Sequence, residues 1–472
     1  MTKECFESGY DIKRGKKMKL INPINVIDGS KISSFHVWLI IWLFIIISFD
    51  GYDVVIYGAT VPSLINEWGI SDVTAGAIGS YSVIGTAIGA IVFGMFADKF
   101  GRKKIIIVTT FLFSFFTMLS GFATSPVIFA VFRIIAGIGL GGVMPNVIAL
   151  ATEFSPKRVR SAIVSFIFCG YSIGALTAAL TSRSLLPKAG WEPVYLLAGI
   201  PLLIIPFLIK YIPESIGFLM EKGKENQAKA TLLKIAPQLS TNDQFEILKP
   251  EAKEPGSPVV KLFENKRALS TIMFWISCFS AFVLIYSMNT WLPRLMMESG
   301  YDLSSSLAFT AVMQIGAIVG TIIFGRLVDK VGFKKVLIPL FFAGAIALSF
   351  IGLTNNMGMA FGLIFIIGAA SVGLQNISNA FVSQYYPANM RSTALGSTMA
   401  FGRIGGIFAP TFVGFLLTMN LLPQFNFAAI GGAALIGGIA MLFVQDKYGN
   451  YYEEKQEKLS EDHKVNMVKQ NV

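Results

Sequence analysis

Cysteine, histidine and charge are all scarce in this sequence of 472 residues. Its three cysteines, Cys5, Cys169 and Cys278, are scattered with no Cys-x-x-Cys spacing, so neither a disulfide framework nor a thiolate metal cluster is expected. Its two histidines, His36 and His463, leave a Ser-His-Asp hydrolase or a zinc centre almost nothing to work with. An enzyme, a bound metal and a cofactor are therefore not expected. Charged residues are only 14% of the chain, where soluble domains carry about 25%. With 54% hydrophobic residues and a mean hydropathy of +0.63, this is a membrane composition. The abundance of Gly (45) and Phe (40) agrees, since small residues let membrane helices approach closely.

A spanning helix needs about 20 mostly apolar residues. Such runs recur about twelve times, near 36–57, 73–97, 104–123, 126–151, 160–182, 190–212, 269–292, 304–327, 334–354, 357–382, 392–418 and 424–445. The first run is too long for a signal-peptide core and lacks a small-x-small cleavage site, so it is expected to stay as a helix. The formal charge is +11, yet its placement argues against a nucleic-acid partner. Lys and Arg crowd the residues before the first run, the loops "DKFGRKK" (98–104) and "SPKRVR" (155–160), the polar stretch 213–268 and "DKVGFKK" (329–335). The alternate loops are nearly bare, with Arg183, Lys188 and Arg294 as exceptions. That asymmetry predicts a multi-pass protein of the cytoplasmic membrane with both termini in the cytoplasm.

An internal repeat orders the runs. "GMFADKFGRKK" begins at Gly94 and "GRLVDKVGFKK" at Gly325, 231 residues on. Pro156, Arg160 and Ser161 match Pro387, Arg391 and Ser392 at the same offset, as do Pro62, Leu64 and Gly69 with Pro293, Leu295 and Gly300. Three ungapped matches at one offset are a tandem duplication. The expected fold is an all-α membrane protein of 12 transmembrane helices in two six-helix, pseudo-symmetric bundles, parallel repeats about an axis along the membrane normal. The expected layout is a tail over 1–35, bundles over 36–212 and 269–445, a linker over 213–268 with a short helix near 224–235, and a tail over 446–472.

"GIGLGG" places Gly137, Gly139 and Gly142 in a literal dinucleotide-binding spacing, but mid-way along an apolar run. No strand precedes it, and Gly137-x-x-x-Gly141 is the spacing with which membrane helices pack. More telling are ionisable groups inside spans, which cost about 2.5–3.5 kcal/mol each on insertion scales and mark pathways. Asp50 and Asp53 lie in the first run, Arg133 in the fourth and Arg403 in the eleventh, with Glu153 at the end of the fourth. At about 1.5 Å per residue, both aspartates and Arg133 fall in the outer half of the bilayer. Residues three apart share a helix face, so Asp50 and Asp53 are expected to face one cavity, with Tyr57 a turn further on. Neighbouring carboxylates repel when both are charged, which suits a proton carrier. A structural ion pair closing the outer side is the plainer alternative, and the two are compatible.

"GMFADKFGRKK", with its degenerate second copy, resembles the loop 2–3 signature of the major facilitator superfamily over nearly the whole chain. Its glycines Gly94 and Gly101 allow a tight turn. Asp98 can meet the positive end of a neighbouring helix, and Arg102 can meet carboxylates or anionic headgroups. "FDGYDVVIYG", "EWGIS" (67–71), "GSYSVIG", "GGVMPN" (141–146), "FCGYSIGA" and "IPES" (212–215) further resemble the aromatic acid:proton symporter branch, benzoate transporters above all. The resemblance implies import of benzoate, a hydroxybenzoate or a related acid with H+. It implies coupling acids at Asp50, Asp53 and Glu153, with the family's two helix-4 residues falling on Arg133 and Glu153, and a cytoplasmic gate at Gly94, Asp98, Gly101, Arg102, Asp329 and Arg391. One departure is Phe333 where the first copy has Arg102, so the two loops are not equal locks.

An aromatic carboxylate needs a cation and a flat apolar slot. Arg133 and Arg403 are the candidate cations, because a planar fork matches a carboxylate. Tyr57, Tyr81, Asn146, Gln314, Gln375 and Asn376, together with Tyr171 and Trp291, are the candidate lining. Periodicity does not orient them, since these helices are apolar nearly all round. The expected partners are a small aromatic acid, H+ and the lipid bilayer, and the expected state is a monomer. A symporter of another organic anion such as muconate or nicotinate, or a non-transporting membrane sensor, are the rivals.

Overall fold

A computed structural model describes residues 10–13, 16–240, 245–248, 259–354, 356–387 and 390–450. Among them, 12 helices are long and apolar enough to cross a membrane. They are α1 (Ser34–Trp68), α2 (Asp72–Phe100), α3 (Arg102–Ser120), α4 (Pro126–Phe154), α5 (Arg160–Ala189) and α6 (Glu192–Tyr211). A second set follows: α7 (Ala268–Glu298), α8 (Leu303–Val331), α9 (Phe333–Ile351), α10 (Met357–Tyr385), α11 (Arg391–Thr418) and α12 (Pro423–Phe443).

Several helices run past the apolar stretches that predict them. α1 continues to Trp68, through Pro62, and ends where Gly69 turns to φ 60°. α2 continues to Phe100 and ends at Gly101, φ 96°. Asp98 is therefore helical rather than in a loop. Polar residues extend a helix at no cost once it leaves the apolar layer, and only a left-handed glycine stops it. α6 is interrupted at Ala198–Gly199, just before Pro201, which has no N–H for the helix ladder. α10 carries a π-helical turn over Ala369–Gly373.

The repeat reappears as matched elements. α2 and α8 begin at 72 and 303 and end at 100 and 331. α3 and α9, and likewise α4 and α10, also differ by 231 at both ends. The stops recur with them: Gly69 and Gly300, and Gly101 and Gly332, all have positive φ. So do the caps. The Ser125 hydroxyl accepts from Ile128 N–H at the start of α4, and the Asn356 amide oxygen accepts from Met359 N–H at the start of α10.

The chain divides into two compact units, one holding the residues up to Ile56 with Tyr81–Lys253, the other Tyr57–Ser80 with the residues from Glu254 onward. In the first unit, Gly137 and Gly141 of α4 lie against the backbone of Ser82 and Thr86 in α2, while Gly85 and Gly89 of α2 lie against Ile134 and Ile138. The nucleotide-like glycines are thus a helix-packing face. Gly51 of α1 sits on the Tyr171 carbonyl and Gly174 of α5 on the Ser48 carbonyl. Stretch 213–240 adds helices Ile216–Glu221 and Glu225–Ile235, the latter burying Ala228, Leu232 and Ile235. Strands β1 (Tyr10–Lys13), β2 (Lys16–Ile21) and β3 (Phe245–Ile247) form a small sheet in the order β1-β2-β3, antiparallel then parallel. At three to six residues each, these strands are too short for the sequence to announce them.

The second unit contains α7–α12 and the segment Tyr57–Ser80. That segment joins it through close contacts. Gly58 meets the Asn289 carbonyl and Gly76 the Pro410 carbonyl. Ser80 Oγ donates to the Ile407 carbonyl at 2.6 Å and lies 2.8 Å from Thr411 Oγ1. Arg294 stands 3.4 Å from Asp72 and 3.5 Å from Glu298, which accounts for one basic residue outside the positive-inside pattern. The expected boundaries kept the whole of 57–80 with the first bundle; these glycine contacts group it with the second set of helices.

Candidate functional site

The strongest concentration of buried charge lies in the first unit, where α1, α3 and α4 supply Asp53, Thr117 and Arg133. Arg133 Nη1 donates to Asp53 Oδ1 at 2.6 Å and Nη2 to Oδ2 at 2.9 Å, a two-pronged pair. Thr117 Oγ1 donates to the same Oδ1 at 2.5 Å, and Ser82 Oγ lies 3.4 Å from Nη2. The side chains of Arg133 and Asp53 are 3% and 1% exposed. Local sequence explains the meeting. Gly137, one turn beyond Arg133, seats α4 directly on α2 beside Ser82. Asp50, a turn before Asp53, is also buried.

The duplicated positions are informative. At the 231 offset, Asp53, Thr117 and Arg133 correspond to Leu284, Leu348 and Ile364, and all three aliphatic side chains are fully buried. The same helix positions therefore pack without charge in the second set of helices.

Glu153 is not part of this group. It lies 20 residues along α4 from Arg133, about 30 Å. There it accepts from Arg102 Nη1 at 2.7 Å, Ser215 Oγ at 2.8 Å and Ile216 N–H at 2.8 Å. Glu153 thus stands at the opposite end of α4 from Arg133, with Arg102 as its basic partner. Its carboxylate is held by a helix N-terminus and a guanidinium at the loop end of the helices.

The other expected residues are dispersed. Gly101 is buried against the Glu214 carboxylate, whose Oε1 accepts from Lys103 N–H at 3.2 Å. Asp98, Asp329 and Arg391 are exposed, and a Cβ at Gly94 would meet open space. Tyr57 is grouped with the second unit and donates its hydroxyl to the Ala75 carbonyl. Asn146 turns back to the Gly142 carbonyl at 2.8 Å. Gln314 donates to Asn289 Oδ1 at 2.9 Å, and Gln375 to Asn379 Oδ1 at 3.0 Å, close to Cys278. Trp291 is fully buried and donates its indole N–H to the Pro410 carbonyl at 2.8 Å. Tyr81 is exposed, and Asn376 and Arg403 are half-buried. No group of three His, Cys, Asp or Glu suited to a metal occurs among the described residues.

Sequence reasoning missed Thr117, Ser82, Asn289 and Glu214. For Thr117 a signal exists: Thr110, Ser114 and Thr117 repeat at helical spacing in α3 and are all buried, a polar stripe inside an otherwise apolar helix.

The chain matches the family model "Major Facilitator Superfamily" over residues 43–410 and 306–469. It is 40% identical over 434 residues to the benzoate transport protein of Acinetobacter baylyi, covering 90% of this chain and 93% of that one. It is 31% identical to the gallate transporter of Pseudomonas putida, covering 89% and 95%. In fold it is similar to the xylose transporter XylE from E. coli in a partially occluded inward-open conformation, with a TM-score of 0.69 and 21% identity over 87% of this chain and 99% of that one. Twelve apolar helices, a duplication carried down to caps and turn glycines, and transporter relatives matched almost end to end make this a multi-pass membrane protein that belongs to the Major Facilitator Superfamily.

Proposed function

We propose that the chain imports a small aromatic carboxylate together with H+ across the cytoplasmic membrane, as a monomer with both termini in the cytoplasm, by alternating access. The observation that carries this reading is the buried Asp53–Arg133 pair with Thr117, set against Leu284, Leu348 and Ile364 at the repeated positions. A pair dispensable for packing in one half has another task in the other. Relatives named for benzoate and gallate transport both point to a ring bearing a carboxylate.

The chemistry follows from the fork. Both outer nitrogens of Arg133 are occupied by a carboxylate in the geometry that a substrate carboxylate would take. While Asp53 is charged, it competes with substrate for that cation. A proton on Asp53 cancels its charge and lets the substrate carboxylate take its place. Substrate and H+ then enter as one neutral addition, and neither is cheaply accommodated alone. Asp50 is the second acid through which the proton passes. Arg403 is the second candidate cation, and Tyr81, Asn146, Gln314, Gln375 and Asn376 are lining candidates. Arg102, Glu153 and Gly101 form the part of the cytoplasmic gate built within one unit, with Gly94, Asp98, Asp329 and Arg391 engaging in other states.

In proteoliposomes, an imposed inward proton gradient is expected to drive accumulation of labelled benzoate, and Asp53→Asn to abolish accumulation while the protein still inserts. Equal uptake with and without the gradient would remove proton coupling. Competition of that uptake by hydroxybenzoates, nicotinate and muconate ranks the substrates; displacement by muconate alone would point to a non-aromatic acid.

A further inference from the structure

A cavity of about 1030 Å³ opens in the first unit between the start of α1, the α2–α3 turn, the end of α6 and the helices Ile216–Glu221 and Glu225–Ile235. Its wall carries seven lysines (Lys99, Lys103, Lys104, Lys210, Lys222, Lys224 and Lys234) and one carboxylate, Glu214. Glu214 is already engaged, accepting from Lys103 N–H and Ser215 N–H at 3.2 and 3.1 Å. Lys103 Nζ is turned to the Ile209 carbonyl at 2.5 Å. Among the described residues, none of the other six ammonium groups is ion-paired. So much like charge around one concavity calls for a multivalent anion.

A second observation gives the anion its setting. Trp38, Trp42, Phe207 and Tyr211 stack beside the cavity, with ring centroids 5.6 to 6.4 Å apart. Such aromatic groups mark the level of lipid headgroups. One turn and two turns back along α6 from Tyr211, Phe207 and Leu203 are exposed at 50% and 74%. Cation, aromatic belt and exposed apolar strip thus follow one another along a single helix, in the order headgroup, interface, acyl chain. We propose that this cavity is a binding site for an anionic phospholipid, its phosphate held among Lys210, Lys222 and Lys234 and its chains laid along Phe207 and Leu203.

The test uses native mass spectrometry of the full-length protein in detergent with added phosphatidylglycerol, phosphatidylcholine or inorganic phosphate. The wild-type protein is expected to retain phosphatidylglycerol in preference to phosphatidylcholine. K210Q/K222Q/K234Q is expected to hold phosphatidylglycerol roughly a hundredfold more weakly, since each lysine near an anionic surface contributes a factor of about five. A control, K330Q/K335Q, removes charge outside the cavity and should keep wild-type retention. Equal retention of the two lipids by the wild-type protein overturns the proposal, whatever the variants do. So does equal loss in the control. Competition of bound lipid by inorganic phosphate at matched concentration would identify a soluble-anion site and also overturn it.

Discussion

The Asp53 carboxyl is buried, and three donors on two other helices hold it in place. Breaking such a pair from one side costs about 3–5 kcal/mol, because the remaining charge stays buried, whereas replacing the whole set with apolar groups is often neutral. The repeated positions supply a tested apolar set. D53A alone is therefore expected to lower the melting temperature in detergent. The triple variant D53L/T117L/R133I, which copies Leu284, Leu348 and Ile364, is expected to recover it with no transport. A triple variant that melts as low as D53A would make the cluster a packing requirement and sink the coupling role. The acids and Arg133 were legible in the sequence because charge inside a span is expensive and rare. Thr117 was not, because a hydroxyl in a membrane helix can satisfy itself on the carbonyl one turn back, as Thr109 and Ser120 do, and so carries no signal of its partner.

Helix packing in the first unit depends on glycine at a few crossings. At Gly51 and Gly174, a Cβ would run into a backbone carbonyl of the facing helix, which cannot swing aside as a side chain can. G174V is expected to separate α1 from α5 and reduce the folded yield severely, measured by size-exclusion profile after extraction. Gly94 and Gly325 have open space at the same probe position. G94A and G325A are expected to fold as well as the wild-type protein, or better by up to about 1 kcal/mol, since alanine is the better helix former. Aggregation of G94A would show that this position does not tolerate a Cβ. The helices, their glycine stops and the repeat spacing could all be read beforehand, because length, apolarity and left-handed turns are local properties. The extra length of α1 and α2 could not, since polar residues beyond the apolar layer read equally well as loop.

Across the whole molecule, the boundary between compact units falls within α1 and α2 rather than between the repeats. The segment Tyr57–Ser80 belongs with α7 and α11 through glycine contacts and the Ser80–Thr411 pair. Alternating access requires such contacts to open and close. With cysteines at these two hydroxyl positions, S80C/T411C in a background freed of Cys5, Cys169 and Cys278, oxidation is expected to abolish uptake and a reductant to restore it. Unchanged uptake by the fully crosslinked protein would mean that this contact persists throughout the cycle.

By itself, the sequence determined the membrane class, the count of spans, the duplication and the scarcity of charge that singles out Asp50, Asp53 and Arg133. These follow from composition and from spacing along one chain, and solvation in a bilayer enforces them segment by segment. The depth of the spans already set the acids level with Arg133; only the tertiary structure decided the two-pronged grip on Asp53 and the meeting of Arg102 with Glu153. Asp53 and Arg133 are 80 residues apart and Arg102 and Glu153 are 51 apart. Helices that are apolar on every side give no hint of which face turns inward; the choice was made where glycine let two backbones touch.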